Sequence, residues 1–254
     1  MSDVDVLPHR VVSESEWLEA RKELLQREKA LTRAYDELMR ERRKLPWIRV
    51  EKPYVFQGPQ GPVSLADLFD GRSQLIVKHF MLGPGWGEGC PGCSFGVDHV
   101  GGALVHLENH DVSYVAVARA PLAEIEAYKQ RMGWEFRWVS SFESDFNFDF
   151  HVSFTEEDKK RGKIYYNYQW CDFMSEEMSG FSVFYKDPEG NIFHTYSTYG
   201  RGDEGSLSTY AFLDLTPMGR NENGPYHNLM DWVKRHDRYP APAASGDSSC
   251  GCSS

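Results

Sequence analysis

Gln74-Leu-Ile-Val-Lys-His-Phe-Met81, a glycine-rich loop from Gly83 to Gly89, and then Gly89-Cys-Pro-Gly-Cys93 form the stretch on which the fold turns. The near-continuous apolar run has the composition of a strand buried on both faces, as in a parallel sheet. From Cys90 to His110 the spacing of Phe95, Val100, Leu104 and Leu107 predicts helix. The local order is therefore strand, loop, helix, with a cysteine pair where the helix opens. Val112-Ser-Tyr-Val-Ala-Val-Ala118 reads as a second buried strand. Pro121 stands near the start of an amphipathic segment, Leu122 to Met132, and Gly133 ends it. This βαβα order predicts a parallel pair and an α/β class.

On the C-terminal side, Phe136 to Ser141 is a further short strand. Phe181-Ser-Val-Phe-Tyr185 and Asn191-Ile-Phe-His-Thr-Tyr196 flank the turn residues Asp187-Pro-Glu-Gly190 as a hairpin, so the sheet is expected to be mixed with an antiparallel edge. The stretch around 145–177, dense in Phe and Tyr and broken by charge, reads as an insertion. On the N-terminal side, two Gly-Pro steps between Tyr54 and Leu65 suggest a hairpin, after which Ser64 caps a short helix. Before it, Ser13 and Glu16 have capping-box spacing and Pro46 stops a long helix. Trp17, Leu24, Leu31, Leu38 and Leu45 recur every seven residues on it, a narrow stripe that suits docking on its own domain or contact with a second copy. The expected organisation is a helical extension over 1–46, a domain over 47–240, and a small, polar, flexible tail over 241–254.

The 254 residues are 41% hydrophobic and 26% charged, enough to build a sizeable core. Asp and Glu exceed Lys and Arg by 38 to 28, and the net charge of −10 argues against nucleic acid and anionic membranes as partners. No apolar run approaches the roughly 18–20 residues of a membrane span, and MSDVDVLPHR lacks the pattern of an export signal. The expectation is a soluble, cytoplasmic protein. The five cysteines, Cys90, Cys93, Cys171, Cys250 and Cys252, are spaced unlike a secreted disulfide framework, which points to reduced thiols.

Chemistry concentrates at Cys90 and Cys93. A cysteine at a helix N-terminus feels the positive end of the dipole and free backbone N–H groups, and both favour thiolate. Pro91 fits the first turn, and Cys93 lies one turn on, within reach of Cys90. Cys90 is thus the candidate attacking thiol and Cys93 the resolving one, with no cofactor. His99 is a candidate to orient a thiol. His79 could tune it from the strand end, whereas His106 and His110 read as ordinary helix-surface residues. Arg119, at the carboxyl end of the second strand, is a candidate to stabilise a thiolate or a substrate anion. Trp86 and Asp98 flank the pair. The competing reading is a copper or zinc site built from Cys90, Cys93 and His99, although no second CxxC occurs before the tail. Cys171 reads as a buried hydrophobe, and Cys250-Gly-Cys252 as a tail able to exchange disulfides or carry a soft metal.

Gln74-Leu-Ile-Val-Lys-His-Phe-Met81, Gly89-Cys-Pro-Gly-Cys-Ser-Phe95, Val115-Ala-Val-Ala-Arg-Ala-Pro121, Trp138-Val-Ser-Ser-Phe142, Asp145-Phe-Asn147 and Phe193-His-Thr-Tyr-Ser-Thr-Tyr199 resemble the bacterial domain-of-unknown-function 899 family over roughly Trp17 to Arg220. That resemblance implies a thioredoxin-like, peroxiredoxin-like core, a mixed sheet flanked by helices. It also implies a dithiol-disulfide oxidoreductase with Cys90 and Cys93 as the redox pair. The expected partner is a thiol or disulfide, small molecule or protein, and a homodimer through the N-terminal helix is a further expectation. An inert interaction scaffold is the third class of function the residues leave open.

Overall fold

The computed structural model describes residues 9–240. Helix α1, Glu14–Arg42, opens with the expected capping box between Ser13 and Glu16. Strand β1, Ile48–Arg49, leads to the hairpin β2, Val55–Gly58, and β3, Gly61–Ser64. A 3-10 turn, Ala66–Phe69, follows, with Ser64 and Asp67 bonded reciprocally at its start. Then come β4, Gln74–His79; α2, Pro91–Asp98; α3, Leu104–Asn109; β5, Val112–Ala118; α4, Leu122–Met132; and β6, Arg137–Ser140. The stretch read as an insertion holds α5, Phe146–Asp149, α6, Glu156–Arg161, and a separate hairpin of β7, Lys163–Tyr166, with β8, Gln169–Asp172. The chain returns through β9, Gly180–Lys186, and β10, Ile192–Tyr199, to a 3-10 segment, Gly200–Ser206, and α7, Ser208–Leu213.

The main sheet has eight strands in the order β1-β10-β9-β4-β5-β6-β2-β3. β4, β5 and β6 run parallel, joined by crossovers that carry α2 with α3, and then α4. β9 pairs antiparallel with the other side of β4, and β10 with β9. Two crossovers on one side of a central strand and a returning hairpin on the other make this a thioredoxin-like α/β fold. The antiparallel hairpin is not the edge that the sequence suggested. β9 lies beside the central strand, and β1 and β3 close the sheet.

Alternation along the central strands sorts the core into two layers. Phe80, Ala116, Ala118 and Trp138 face α2 and α4, where Cys93, Val97, Ile125 and Tyr128 pack. Leu75, Val77, Val115, Val117 and Val139 face the other way, against Phe56, Phe69, Phe146 and Phe184. A smaller cluster of Val152, Phe154, Ile164 and Tyr166 joins the 145–177 stretch to Tyr199.

Two expectations are corrected. The helix expected from Cys90 to His110 is two helices, because Gly101 and Gly102 form a 3-10 turn between α2 and α3, where each glycine would cost about 1 kcal/mol inside an α-helix. Most of helix α1 is not docked on its own domain: none of its 29 residues is buried, Trp17, Leu24, Leu31 and Leu38 are exposed, and contact is confined to its C-terminal end, where Arg42 lies over the Tyr196 ring. No helix among the described residues is long and apolar enough to cross a membrane. The tail with Cys250 and Cys252 lies outside the described residues.

Candidate functional site

The site is built where β4 ends and α2 begins. Cys90 is the N-cap residue of α2 and Pro91 its first residue, so the missing N–H costs nothing there. The loop before it is held tightly: the Cys90 N–H donates to Met81 O at 3.0 Å. A Cβ at Gly89 would lie 2.4 Å from the Phe80 ring, so only glycine fits that approach. Arg235, from the C-terminal segment, donates through Nε and Nη2 to Gly89 O at 2.9 and 2.6 Å, and its guanidinium pairs with Glu88. One turn into the helix, the Ser94 hydroxyl donates to Cys90 O at 2.8 Å and shares a hydrogen bond with the Tyr128 hydroxyl.

The two sulfurs have unequal surroundings. Cys90 is half-buried and Cys93 is buried, and both are free thiols. Hydrogen bonding from the Cys93 side chain lowers the Cys90 pKa to about 6, helped by the N–H groups of Cys93 and Gly92 and by the Lys78 charge; burial opposes the shift. The same contact with Cys90, reinforced by burial, raises the Cys93 thiol well above the ordinary range. The Met81 N–H approaches the Cys93 sulfur at 3.5 Å.

Lys78 was absent from the residues singled out in the sequence. It lies on β4, is 2% exposed, and pairs through Nζ with Asp203 Oδ2 at 2.7 Å while sitting 4.5 Å over the Phe181 ring. A lysine inside a buried apolar run was the available signal, since a buried ammonium needs a partner. Arg235 gave no such signal, because its bond to Gly89 spans 146 residues. Tyr128 read only as part of an amphipathic helix.

The structure brings Cys90 and Cys93 together and gives the other candidates different partners. His99 caps the end of α2, with Nε2 2.7 Å from the Thr209 hydroxyl and its ring edge-on to Phe95. Among the described residues no three His, Cys, Asp or Glu side chains are grouped as a metal site would need, and His99 is not brought together with the two cysteines in such a group. Arg119 donates to Glu177 at 2.6 Å. Glu177 is 1% exposed, its pKa is raised by burial, and it also accepts from Ser153. Arg119 is therefore the counter-charge of a buried carboxylate rather than of a sulfur. His79 points to the opposite layer, stacked on Phe146 and Phe150 and bonded to Ser182, so it does not tune the thiols. His106 lies on α3 and His110 caps it, both beyond the glycine break. Asp98 accepts from Trp134 Nε1 and bonds His236, while Trp86 packs on the α2 layer. Cys171 packs beside the 145–177 cluster, with its thiol 3.7 Å from Ile164 O.

A thioredoxin-like α/β protein with a helix-capping dithiol is the class that this fold and site define. The chain belongs to the bacterial proteins of unknown function grouped as DUF899, whose family model matches residues 6–239. No curated protein matches it. Among solved structures, a mutant of Xylella fastidiosa PrxQ is similar at 12% identity with a TM-score of 0.41, covering 64% of this chain and 89% of that one. Peroxidoxin BcpB of Mycobacterium tuberculosis gives 12% and 0.41, covering 65% and 95%. A Chlorobium tepidum protein assigned as a thiol:disulfide interchange protein, DsbE, gives 12% and 0.41, covering 69% and 100%. The fold assignment rests on the strand order given above.

Proposed function

We propose that the protein is a thiol-disulfide oxidoreductase in which Cys90 attacks and Cys93 resolves. The observation that carries this reading is the inequality of two sulfurs one helical turn apart: Cys90 half-buried and acidified, Cys93 buried and protonated. At neutral pH the Cys90 thiolate attacks one sulfur of a disulfide R–S–S–R′. The S–S bond breaks, Cys90–S–S–R forms, and R′S⁻ leaves and takes up a proton from solvent. Cys90 then carries no negative charge, which removes one cause of the raised Cys93 pKa. Cys93 loses its proton and attacks the Cys90 sulfur, and RS⁻ departs. Two electrons pass from the dithiol to the substrate, which leaves as two thiols. An external thiol reductant returns the Cys90–Cys93 disulfide to the dithiol. Such a reductive cycle suits a compartment that keeps thiols reduced, the cytoplasm being the obvious one.

Replacing Cys93 with serine tests this directly. Cys93→Ser, incubated with a small aromatic disulfide, accumulates a mixed disulfide on Cys90 that mass spectrometry detects, whereas Cys90→Ser accumulates none on Cys93. The reverse pattern overturns the assignment. A protein isolated with one zinc or copper per chain and thiols that react only after chelation supports the metal reading instead.

We further propose that α1 contacts a second copy. The support is a seven-residue apolar repeat that the chain's own domain leaves exposed. A monomeric mass by light scattering at micromolar concentration sinks this proposal.

A further inference from the structure

A cleft of about 940 Å³ lies between the C-terminal end of α1, the α2–α3 segment and the β9–β10 side of the sheet, apart from both sulfurs. Its volume falls within the roughly 300–1,000 Å³ of small-molecule pockets. The walls are largely aromatic: Trp47, Tyr114, Phe181, Tyr185 and Tyr196 all line it. Trp47 and Tyr185 lie with ring centroids 5.1 Å apart.

The charge of the lining is the informative part. Arg42 and Arg43 line the cleft, and neither has a carboxylate partner among the described residues. Arg42 instead stands 4.4 Å over the Tyr196 ring, a placement that leaves its donors free for a ligand. Among the described residues the acid in the lining is Asp203, which is neutralised by Lys78 at 2.7 Å and so does not oppose an anion. His99 also lines the cleft, and its buried Nδ1 has no hydrogen-bond partner among the described residues. In a chain of net charge −10, a cleft whose unpaired charges are two guanidiniums is a local reversal of sign.

We infer that this cleft binds a small planar organic anion, an aromatic carboxylate or sulfonate, with its rings against the aromatic walls and its negative end on Arg42 and Arg43. Aromatic surfaces supply area with little loss of side-chain freedom, and guanidiniums match a carboxylate in a fork. The inference stands apart from the thiol chemistry, because it concerns other residues and a measurement that no sulfur enters.

The test is isothermal titration of the full-length, reduced protein with 2-naphthoate and with uncharged 2-naphthalenemethanol. The expected result is saturable binding of one naphthoate per chain, with the uncharged probe at least about fivefold weaker. Arg42→Gln/Arg43→Gln should weaken naphthoate at least about tenfold with an unchanged circular dichroism spectrum and melting temperature, as expected for side chains at a cleft rim. Ala103→Phe, which narrows the cleft without touching a charge, should also weaken it. Absence of saturable naphthoate binding overturns the inference. So does equal affinity for the uncharged probe, or a double variant that binds within about twofold of the parent.

Discussion

Lys78 and His79 are consecutive residues of β4, both buried, and the pleat sends them to opposite layers. Lys78 enters the α2 layer, where Asp203 answers its charge and where that charge bears on both cysteines. His79 enters the layer of Phe146 and Phe150, where burial lowers its pKa to about 3 and it sits neutral on Ser182. One layer of the sheet thus places a buried ammonium next to the thiols, and in the other the buried histidine sits among aromatic rings without its charge. A strand one residue out of register would exchange these roles.

The largest expected effect comes from breaking the Lys78 side. Lys78→Met leaves the Asp203 carboxylate in place without its counter-charge; stranding a fully buried charge costs about 3–5 kcal/mol, and because Asp203 is 18% exposed that range is the upper bound of the expected loss. The urea midpoint should fall accordingly. Lys78→Met/Asp203→Leu should recover most of that loss, because the stranded charge is gone. In the double variant the pH profile of Cys90 alkylation should still move upward, since the Lys78 charge that lowers it is missing. An unmoved profile would show that the lysine serves packing alone.

His79 sharpens the comparison through pH. Its folded-state pKa is depressed below the unfolded value near 6.5, so the unfolded chain binds the proton first. Stability should therefore be unaffected by this group above pH 6.5. It should fall by about 1.4 kcal/mol per pH unit below that, until the folded form protonates at about 3. Between pH 6.5 and 4.5 that amounts to about 3 kcal/mol. His79→Gln keeps a polar atom for Ser182 and should remove that share of acid sensitivity. If parent and variant lose stability in parallel, His79 is not the acid-labile group.

The two sides of β4 were not equally legible in the sequence. The strand, the loop and the helix with Cys90 as its cap could be read because each is local: an apolar run, a glycine cluster, a proline in the first turn. The layer into which a buried side chain points depends on register, and neither Lys78 nor His79 declares it. The long-range parts were invisible for a related reason. Arg235 reaches Gly89, and Leu207, Tyr210 and Val233 form a cluster with Phe95 on α2, all from a C-terminal stretch without a strong periodic pattern. Gly101-Gly102 was visible but outweighed by the apolar spacing on either side. In α1 the period of seven was correct as helix, yet periodicity says only that a face is apolar, not what covers it.

The smallest expected effect lies within the dithiol. The first cause of the lowered Cys90 pKa is the neighbouring Cys93 side chain, ahead of the backbone donors and Lys78. Cys93→Ala deletes that donor and leaves the others, so the midpoint of Cys90 alkylation should rise by about one pH unit, the worth of one charge-assisted hydrogen bond of about 1.5 kcal/mol. Cys93→Ser keeps a hydroxyl donor and should sit between alanine and the parent. Alkylation at graded pH with mass-spectrometric readout follows Cys90 alone and gives all three midpoints. An order of parent, serine, alanine from low to high means that the resolving thiol also sets the attacking one. Three equal midpoints would assign the shift to the helix N-terminus and Lys78, and Cys93 would then act only in the second step of exchange.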